Sequence, residues 1–142
     1  MFFAGSFDHT VDEKGRINIP ASFRSQLPAS DDFFFYVTVG REGCLYVFPP
    51  EIFEHMSLDM EKDTGSFLNP NINKVVFTQT MALSQPCHCD AQGRLVIPKQ
   101  HLDRAKIDGK VKIVGLRDRM QLWNPDLFER YIQSIEMSSG NS

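Results

Sequence analysis

The sequence lacks long hydrophobic runs, and it has only three cysteines among its 142 residues. No stretch approaches the roughly 20 apolar residues of a transmembrane helix, so we expect no membrane span. Residues 1–5 lack the basic segment and the long apolar core of a signal peptide, which predicts a cytoplasmic protein. An odd number of cysteines without a secretion signal also argues against a disulfide framework.

Metal-binding patterns are equally scarce. Cys87, His88 and Cys89 form a fragment that resembles part of a metal site, but no second ligand pair follows at a suitable spacing. In a strand, Cys87 and Cys89 would share one face and His88 would take the other, so the three could not bind one ion. We therefore expect no metal and no cofactor.

A strong charge of either sign is absent too, because 15 Lys and Arg residues stand beside 18 Asp and Glu residues. A net charge of −3 is not typical of a nucleic-acid-binding protein. The charge is unevenly distributed along the chain. Residues 1–89 contain 6 basic and 11 acidic residues, whereas residues 90–142 contain 9 basic and 7 acidic residues. Any surface that binds anions must therefore be a local patch.

Catalytic patterns are missing as well. The sequence has no paired-carboxylate motif and no nucleophile elbow. Its histidines are scattered along the chain: His9, His55, His88 and His101. We expect a protein that is not an enzyme.

What the sequence does contain is one stretch used twice. Residues 12–20 read DEKGRINIP and residues 90–98 read DAQGRLVIP, at an offset of 78 residues. Asp, Gly, Arg, Ile and Pro recur at identical positions, and Ile17 is matched by Leu95. A self-match at a fixed offset indicates an internal repeat, and in a chain of this length it predicts two half-domains that share a core.

Each copy predicts a tight turn followed by a short strand. The aspartate can accept a backbone N–H at the first turn position, and the glycine can adopt a positive φ. The turn-forming residues are Asp12, Gly15, Asp90 and Gly93. Apolar and polar residues then alternate, so Arg16 and Arg94 are predicted to lie on the polar face of a strand. The proline at the end stops the strand and favours a helix after it.

The remaining pattern predicts an α+β fold, mostly β with short helices, in which two pseudo-symmetric repeats interleave. Predicted elements of the first half are a hairpin at 6–19, a helix at 21–27, strands at 33–39 and 44–48, and a helix from 50 to about 56. A connecting helix is expected at 71–80, and the order then repeats, with a turn at 115–119. The predicted segments are a first repeat at 5–56, a linker with the connecting helix at 57–80, a second repeat at 81–135 and a flexible tail at 136–142.

The doubled motif, with a helix, strand, turn, strand and helix after each copy, resembles the MraZ family over about residues 5–135. Residues 12–20, 90–98, 114–119 and 123–124 carry the resemblance. It implies two tandem copies of the swapped-hairpin AbrB/SpoVT-type fold, closed into a double-psi barrel. It also implies a nucleoid-associated transcriptional regulator that binds direct repeats in double-stranded promoter DNA. The implied targets are the division and cell-wall gene cluster, including the regulator's own gene, with repression as the expected effect. Members form homo-oligomeric rings, of an octamer or dodecamer type.

The motif of this family places DNA contacts on Arg16 and Arg94. A guanidinium can bind phosphate through two hydrogen bonds or read guanine O6 and N7, whereas the other interpretation is a solvated arginine paired with the aspartate four residues earlier. Lys14 at the turn tip suits a phosphate contact, while Gln92 could only form hydrogen bonds. Residues that could extend the patch are Arg24, Lys99 and Arg104. Asp12 and Asp90 are expected to hold the turns and orient the arginines.

A second function remains open from the sequence. The aromatic residues at 33–36 and Trp123 could form subunit contacts in an assembly or partner-binding protein that makes rings without specific DNA binding. Salt-sensitive binding to operator DNA would distinguish a regulator from such a protein.

Overall fold

The computed structural model describes residues 1–31 and 33–140, with side chains through residue 138. These residues form eight strands and five helices. The strands are β1 (Phe3–Thr10), β2 (Arg16–Asn18), β3 (Phe34–Val39), β4 (Leu45–Phe48), β5 (Gln85–His88), β6 (Arg94–Val96), β7 (Lys110–Arg117) and β8 (Met120–Trp123). The helices are α1 (Ala21–Arg24), α2 (Pro50–Lys62), α3 (Asn73–Ala82), α4 (Lys99–Arg104) and α5 (Pro125–Gly140). The predicted α+β class, mostly β with short helices, is confirmed.

Each repeat contributes its first strand to the sheet of the other repeat. β1 pairs with β7 and β5 pairs with β3, which gives a six-stranded antiparallel sheet of order β1–β7–β8–β4–β3–β5. The short strands β2 and β6 pair with each other, and we call this pair the ribbon. Isolated bridges from Val11 to Ile17 and from Cys89 to Leu95 join the ribbon to β1 and β5. The strand pairings therefore close into a barrel.

The predicted hairpin at residues 6–19 is wrong in its strand pairing. Its turn forms as expected, since the Gly15 N–H donates to the Asp12 carbonyl at 3.0 Å and the Asp12 N–H to the Arg16 carbonyl at 3.2 Å. However, β1 pairs with β7 along its full length and meets β2 only at one isolated bridge. A local pattern identifies a turn, but the partner of the strand depends on packing between distant segments.

The two repeats meet at the centre of the large sheet, where β4 pairs with β8 and Tyr46 lies opposite Gln121. The Gln121 amide donates to the Tyr46 hydroxyl at 3.0 Å, and its carbonyl oxygen accepts from the Trp123 indole N–H at 2.9 Å. The Tyr46 hydroxyl donates to Glu42. Burial raises the pKa of Tyr46, so the hydroxyl stays protonated as a donor. This network satisfies buried polar groups where the repeats join.

The apolar face of the ribbon packs into the core. The alternation predicted for both copies is confirmed, because four side chains on this face are at most 4% exposed: Ile17, Ile19, Leu95 and Ile97. Full burial of an aliphatic side chain of this size contributes about 1.5–3 kcal/mol. The ribbon is therefore held from its inner side, and its outer face is left to polar residues.

Two helices of the first repeat end at different residues from those predicted. α1 ends at Arg24 rather than at residue 27, because the N–H groups of Gln26 and Leu27 bond three residues back in a tighter turn. α2 continues to Lys62, into the predicted linker at 57–80. Residues 57–62 contain no Gly or Pro, and a lysine in the last turn complements the helix dipole.

The last helix extends into the predicted tail at 136–142. α5 continues through Gly140, so residues 136–140 are helical, and the last two residues lie outside the described part of the chain. The predicted turn at 115–119 is shorter as well, because β7 extends through Arg117. Gly115 lies opposite Gly5 in the β1–β7 register. A Cβ on Gly115 would lie only 2.5 Å from the Ala4 nitrogen, so the absence of a side chain permits this close strand pairing.

We expect Gly115→Ala to lower the free energy of unfolding by about 1–3 kcal/mol, because the added methyl would overlap the backbone of β1. Urea unfolding followed by circular dichroism would measure the change. Ser6→Ala, at an exposed position on the partner strand, is the control and should change stability by less than about 0.5 kcal/mol. A Gly115→Ala protein as stable as the wild type would contradict the close approach of β1 and β7.

Candidate nucleic-acid interface

The first turn is organised by the carboxylate of Asp12. Its Oδ1 accepts the backbone N–H groups of Lys14 and Arg16, each at 2.9 Å. Its Oδ2 accepts the Nε–H of the Arg16 side chain at 2.6 Å. One side chain therefore holds the turn and also directs the guanidinium that follows it.

The second turn repeats this arrangement. Oδ1 of Asp90 accepts the N–H groups of Gln92 and Arg94, each at 2.9 Å, and Oδ2 accepts the Arg94 Nε–H at 2.8 Å. The Gly93 N–H donates to the Asp90 carbonyl at 3.0 Å, as in the first turn. Each aspartate therefore accepts two backbone N–H groups of its own turn and the Nε–H of the arginine that follows.

Both arginines keep their outer edge available. The hydrogen bond to the aspartate uses Nε–H, so it does not occupy the terminal nitrogens of either guanidinium. The side chains of Arg16 and Arg94 are 30% and 23% exposed. Nη1 of Arg94 also lies 4.0 Å from Oδ2 of Asp12, so the two turns are neighbours in space. The structure brings together groups that are 78 residues apart in the sequence.

The two aspartates of this site have pKa values below the usual value for this residue. Hydrogen bonds from the backbone N–H of Arg16 lower the pKa of Asp12, with further contributions from its guanidinium and from Lys14. The N–H of Arg94 likewise lowers the pKa of Asp90. Both carboxylates are therefore ionised at neutral pH, where they can hold the guanidinium groups.

Glycine is required at both turns. Gly15 and Gly93 have φ values of 78° and 77°, which side chains rarely adopt. A Cβ on Gly15 would lie 2.3 Å from the Ile97 carbonyl oxygen. The backbone of the first turn instead approaches the second copy of the motif, and the Ile97 N–H donates to the Gly15 carbonyl at 2.8 Å.

The outward face of the ribbon carries four side chains in two cross-strand pairs. Arg16 lies opposite Val96, and Arg94 lies opposite Asn18. Asn18 is exposed, and Val96 retains 38% of its exposure. Val96 was missed as a candidate site residue, although period-two alternation beside Leu95 places it on this face.

The remaining predicted residues flank the turns. Lys14 is exposed at the tip of the first turn. Arg24 belongs to the first repeat but lies against the second turn, since its Cδ is 3.2 Å from where a Cβ of Gly93 would be. At the equivalent place on the first turn stands Leu102 of α4. Lys14 and Arg24 therefore stand beside different turns and at different positions, and Lys99 and Lys106 also line the cavity beside the first turn.

Lys99 and Arg104 are less central. Lys99 lines a cavity of about 530 Å³ beside the first turn, but its Nζ lies 3.5 Å from the Asp103 carboxylate. Arg104 is exposed at the end of α4. We therefore do not assign either residue to the interface formed by the ribbon and its two turns.

The cysteines behave as strand residues. Cys87 is buried and His88 exposed, as the alternation predicts. Across residues 1–31 and 33–140, no cluster of three His, Cys, Asp or Glu side chains could hold a metal ion. None of the helices in the described part of the chain is long and apolar enough to cross a membrane.

Known proteins are similar to this chain over almost its whole length. The model of the MraZ protein family, described as antitoxin-like, matches residues 2–66 and 81–142. Relatives named transcriptional regulator MraZ include the Pediococcus pentosaceus protein, 34% identical over 134 residues, or 94% of this chain and 89% of the relative. The Carboxydothermus hydrogenoformans protein is 35% identical with the same coverage. That of Halothermothrix orenii is 34% identical over 96% of this chain and 90% of its own.

The lowered pKa values predict a pH dependence of stability. Protonation is easier in the unfolded chain, where the aspartate pKa is near 3.8. The stabilisation by Asp12 and Asp90 is thus complete above that value and is lost as the pH falls through the lower folded pKa. We expect an Asp12→Asn/Asp90→Asn protein to lose less thermal stability than the wild type on acidification from about pH 5.

Thermal melts at a series of pH values would test this. Asp103→Asn, which alters an exposed carboxylate on α4, controls for the general loss of negative charge. Parallel pH curves for the wild type and the double variant would show that these carboxylates give no pH-dependent stability.

Proposed function

The chain belongs to the MraZ family, and we propose that it binds double-stranded DNA through the ribbon and the two turns beside it. Membership of a family of transcriptional regulators makes it a regulator of transcription rather than an enzyme. The observation that carries the DNA-binding proposal is the pair of aspartate-oriented guanidinium groups of Arg16 and Arg94.

The chemistry of these groups fits DNA. An arginine held through its Nε–H still presents its terminal N–H groups, which match guanine O6 and N7 or two phosphate oxygens. A two-stranded antiparallel ribbon is also narrow enough to enter the major groove. Lys14 and Arg24 stand beside the two turns, where phosphate contacts would position the ribbon.

The patch of a single subunit is only weakly cationic. Its cationic side chains are Lys14, Arg16, Arg24 and Arg94, and its carboxylates are Asp12, Glu13 and Asp90. One subunit is thus expected to bind the phosphate backbone weakly. We propose that a closed homo-oligomeric ring, of an octamer or dodecamer type, aligns several ribbons on short direct repeats. Linked weak contacts gain avidity when their spacing matches that of the DNA sites.

Exposed apolar residues support self-assembly. Within nine residues, four large side chains are largely exposed: Phe67 at 97%, Leu68 at 90%, Ile72 at 78% and Val75 at 55%. Apolar side chains exposed in such density are typical of a surface that another protein covers. A head-to-tail contact between unlike surfaces is the kind that closes rings.

We propose that the target is the promoter of the division and cell-wall gene cluster, including the gene of this chain, and that binding represses it. This step rests on family membership. A protein with this role works in the cytoplasm, in association with the nucleoid.

We expect an Arg16→Ala/Arg94→Ala protein to bind DNA from upstream of its own gene at least about a hundredfold more weakly. The reason is the loss of both guanidinium groups, each of which can form two hydrogen bonds to one base. Fluorescence anisotropy across a salt series, beside a scrambled duplex, would measure this. The salt dependence should also become shallower, because fewer phosphates are neutralised.

Two controls accompany this measurement. Arg41→Ala/Arg130→Ala removes the same charge from exposed positions outside the ribbon and should keep specific binding. Arg16→Lys/Arg94→Lys keeps the charge but loses the planar guanidinium group that can form two parallel hydrogen bonds, so it should bind with intermediate affinity. Equal, mutation-insensitive binding to both duplexes would favour the assembly protein without specific DNA binding.

Replacing Phe67 and Leu68 with serine should reduce the mass of the assembly, because these side chains would no longer be buried between subunits. Light scattering after size exclusion would measure the mass. Phe67→Tyr/Leu68→Met keeps the apolar area and should keep the wild-type mass. An unchanged assembly in the serine variant would locate the subunit contact elsewhere.

A further inference from the structure

We propose that Asn18 and Val96 set the polarity with which each subunit reads its DNA site. The inference rests on the proposed function, because it assigns base contacts within the same ribbon. Direct repeats require that the site of one subunit has a direction, and the inference assigns the residues that read this direction.

The ribbon is built around a local pseudo-two-fold axis. Ile17 lies opposite Leu95, which is its own counterpart in the other repeat. Rotation about this axis exchanges Arg16 with Arg94, so the two guanidinium groups obey the symmetry. The same rotation exchanges Asn18 with Val96, so this pair breaks it.

Both residues of that pair face outward. Asn18 is exposed, and Val96 is 38% exposed while its neighbours Leu95 and Ile97 fill the core. Asn18 carries an amide, whereas Val96 carries two methyl groups. Packing inside the barrel therefore does not explain this difference. Their chemical difference is presented to whatever contacts the ribbon.

The difference has a direct meaning in the major groove. An asparagine amide can donate to N7 and accept from N6 of adenine, once its orientation is chosen for that edge, whereas valine can only contact an apolar group such as the thymine methyl. One end of the ribbon thus combines an arginine with an amide, and the other combines an arginine with methyl groups. A base sequence that fits both ends differs from its own reverse complement.

The cations beside the two turns are a separate difference between the ends of the ribbon. The first turn adds Lys14 where the second has Gln92. The second turn gains Arg24 from α1, where Leu102 stands against the first. The two ends therefore also differ in the cations that could contact phosphate, but phosphate contacts carry no base sequence, so the difference in base preference rests on the outward pair.

Selection of binding sites from a random duplex library would test the proposal, with wild type and two opposite variants. Val96→Asn makes both ends of the ribbon carry an amide, and Asn18→Val makes both carry methyl groups. The wild type should select a motif that differs from its reverse complement. Each variant should select a motif that matches its reverse complement, with different bases in the two cases.

Affinities for the selected motifs give the size of the effect. The wild type should prefer its own motif over a palindrome made from either half by about tenfold, as expected for one base contact. Each symmetrised variant should prefer one palindrome instead. Leu116→Asn, at an equally exposed apolar position on β7, is the control and should keep the wild-type motif.

The outcomes separate this inference from the proposed function. A palindromic motif for the wild type, or variants that keep its asymmetric motif, would overturn the inference and leave DNA binding standing. Absence of any selected motif for the wild type would overturn both.

A chemical probe tests the valine contact alone. Replacing single thymines of the wild-type motif by deoxyuridine removes only the C5 methyl group. At one position this should weaken wild-type binding severalfold and leave Val96→Ala unaffected. Equal losses for both proteins at every position would show that Val96 contacts no thymine.

Discussion

The exchange of first strands between the repeats is the constraint on which the rest of the structure depends. Because β1 joins β7 and β5 joins β3, the strands that follow them, β2 and β6, are left beside each other. Their pairing closes the barrel and sets the two turns side by side. Neither repeat possesses this ribbon alone, so the site arises from the same step that completes the core.

Asp12 and Asp90 each link the fold to the site through one carboxylate. One oxygen of each satisfies two backbone N–H groups, and the other holds an arginine Nε–H. A solvent-exposed ion pair of this kind contributes little to stability. Its main physical effect is to restrict the guanidinium to one direction, which lowers the entropy lost when the outer edge of the arginine binds a ligand.

The sequence predicted most of the parts of this site, and the structure supplied their arrangement. The turns at Asp12 and Asp90 and the alternation through Ile17 and Ile97 follow from local chemistry, so they could be predicted. The partner of β1 could not, because its pairing depends on contacts with a strand about a hundred residues away. The placement of Arg24 on the second turn follows from the same exchange, and so it also escaped prediction.

Comparison of the two motif copies separates the demands of folding from those of function. The recurring glycine is explained by its positive φ, the isoleucine by burial, and the aspartate by the backbone groups it satisfies. Proline is explained by the strand that it ends. Arginine alone recurs on the outer face without a comparable structural need, because its surface ion pair is weak. Neighbouring outward positions, Asn18 and Val96, differ between the copies, so the fold of the ribbon does not fix the residue type there. An arginine kept twice on such a face is best explained by a ligand that both copies contact.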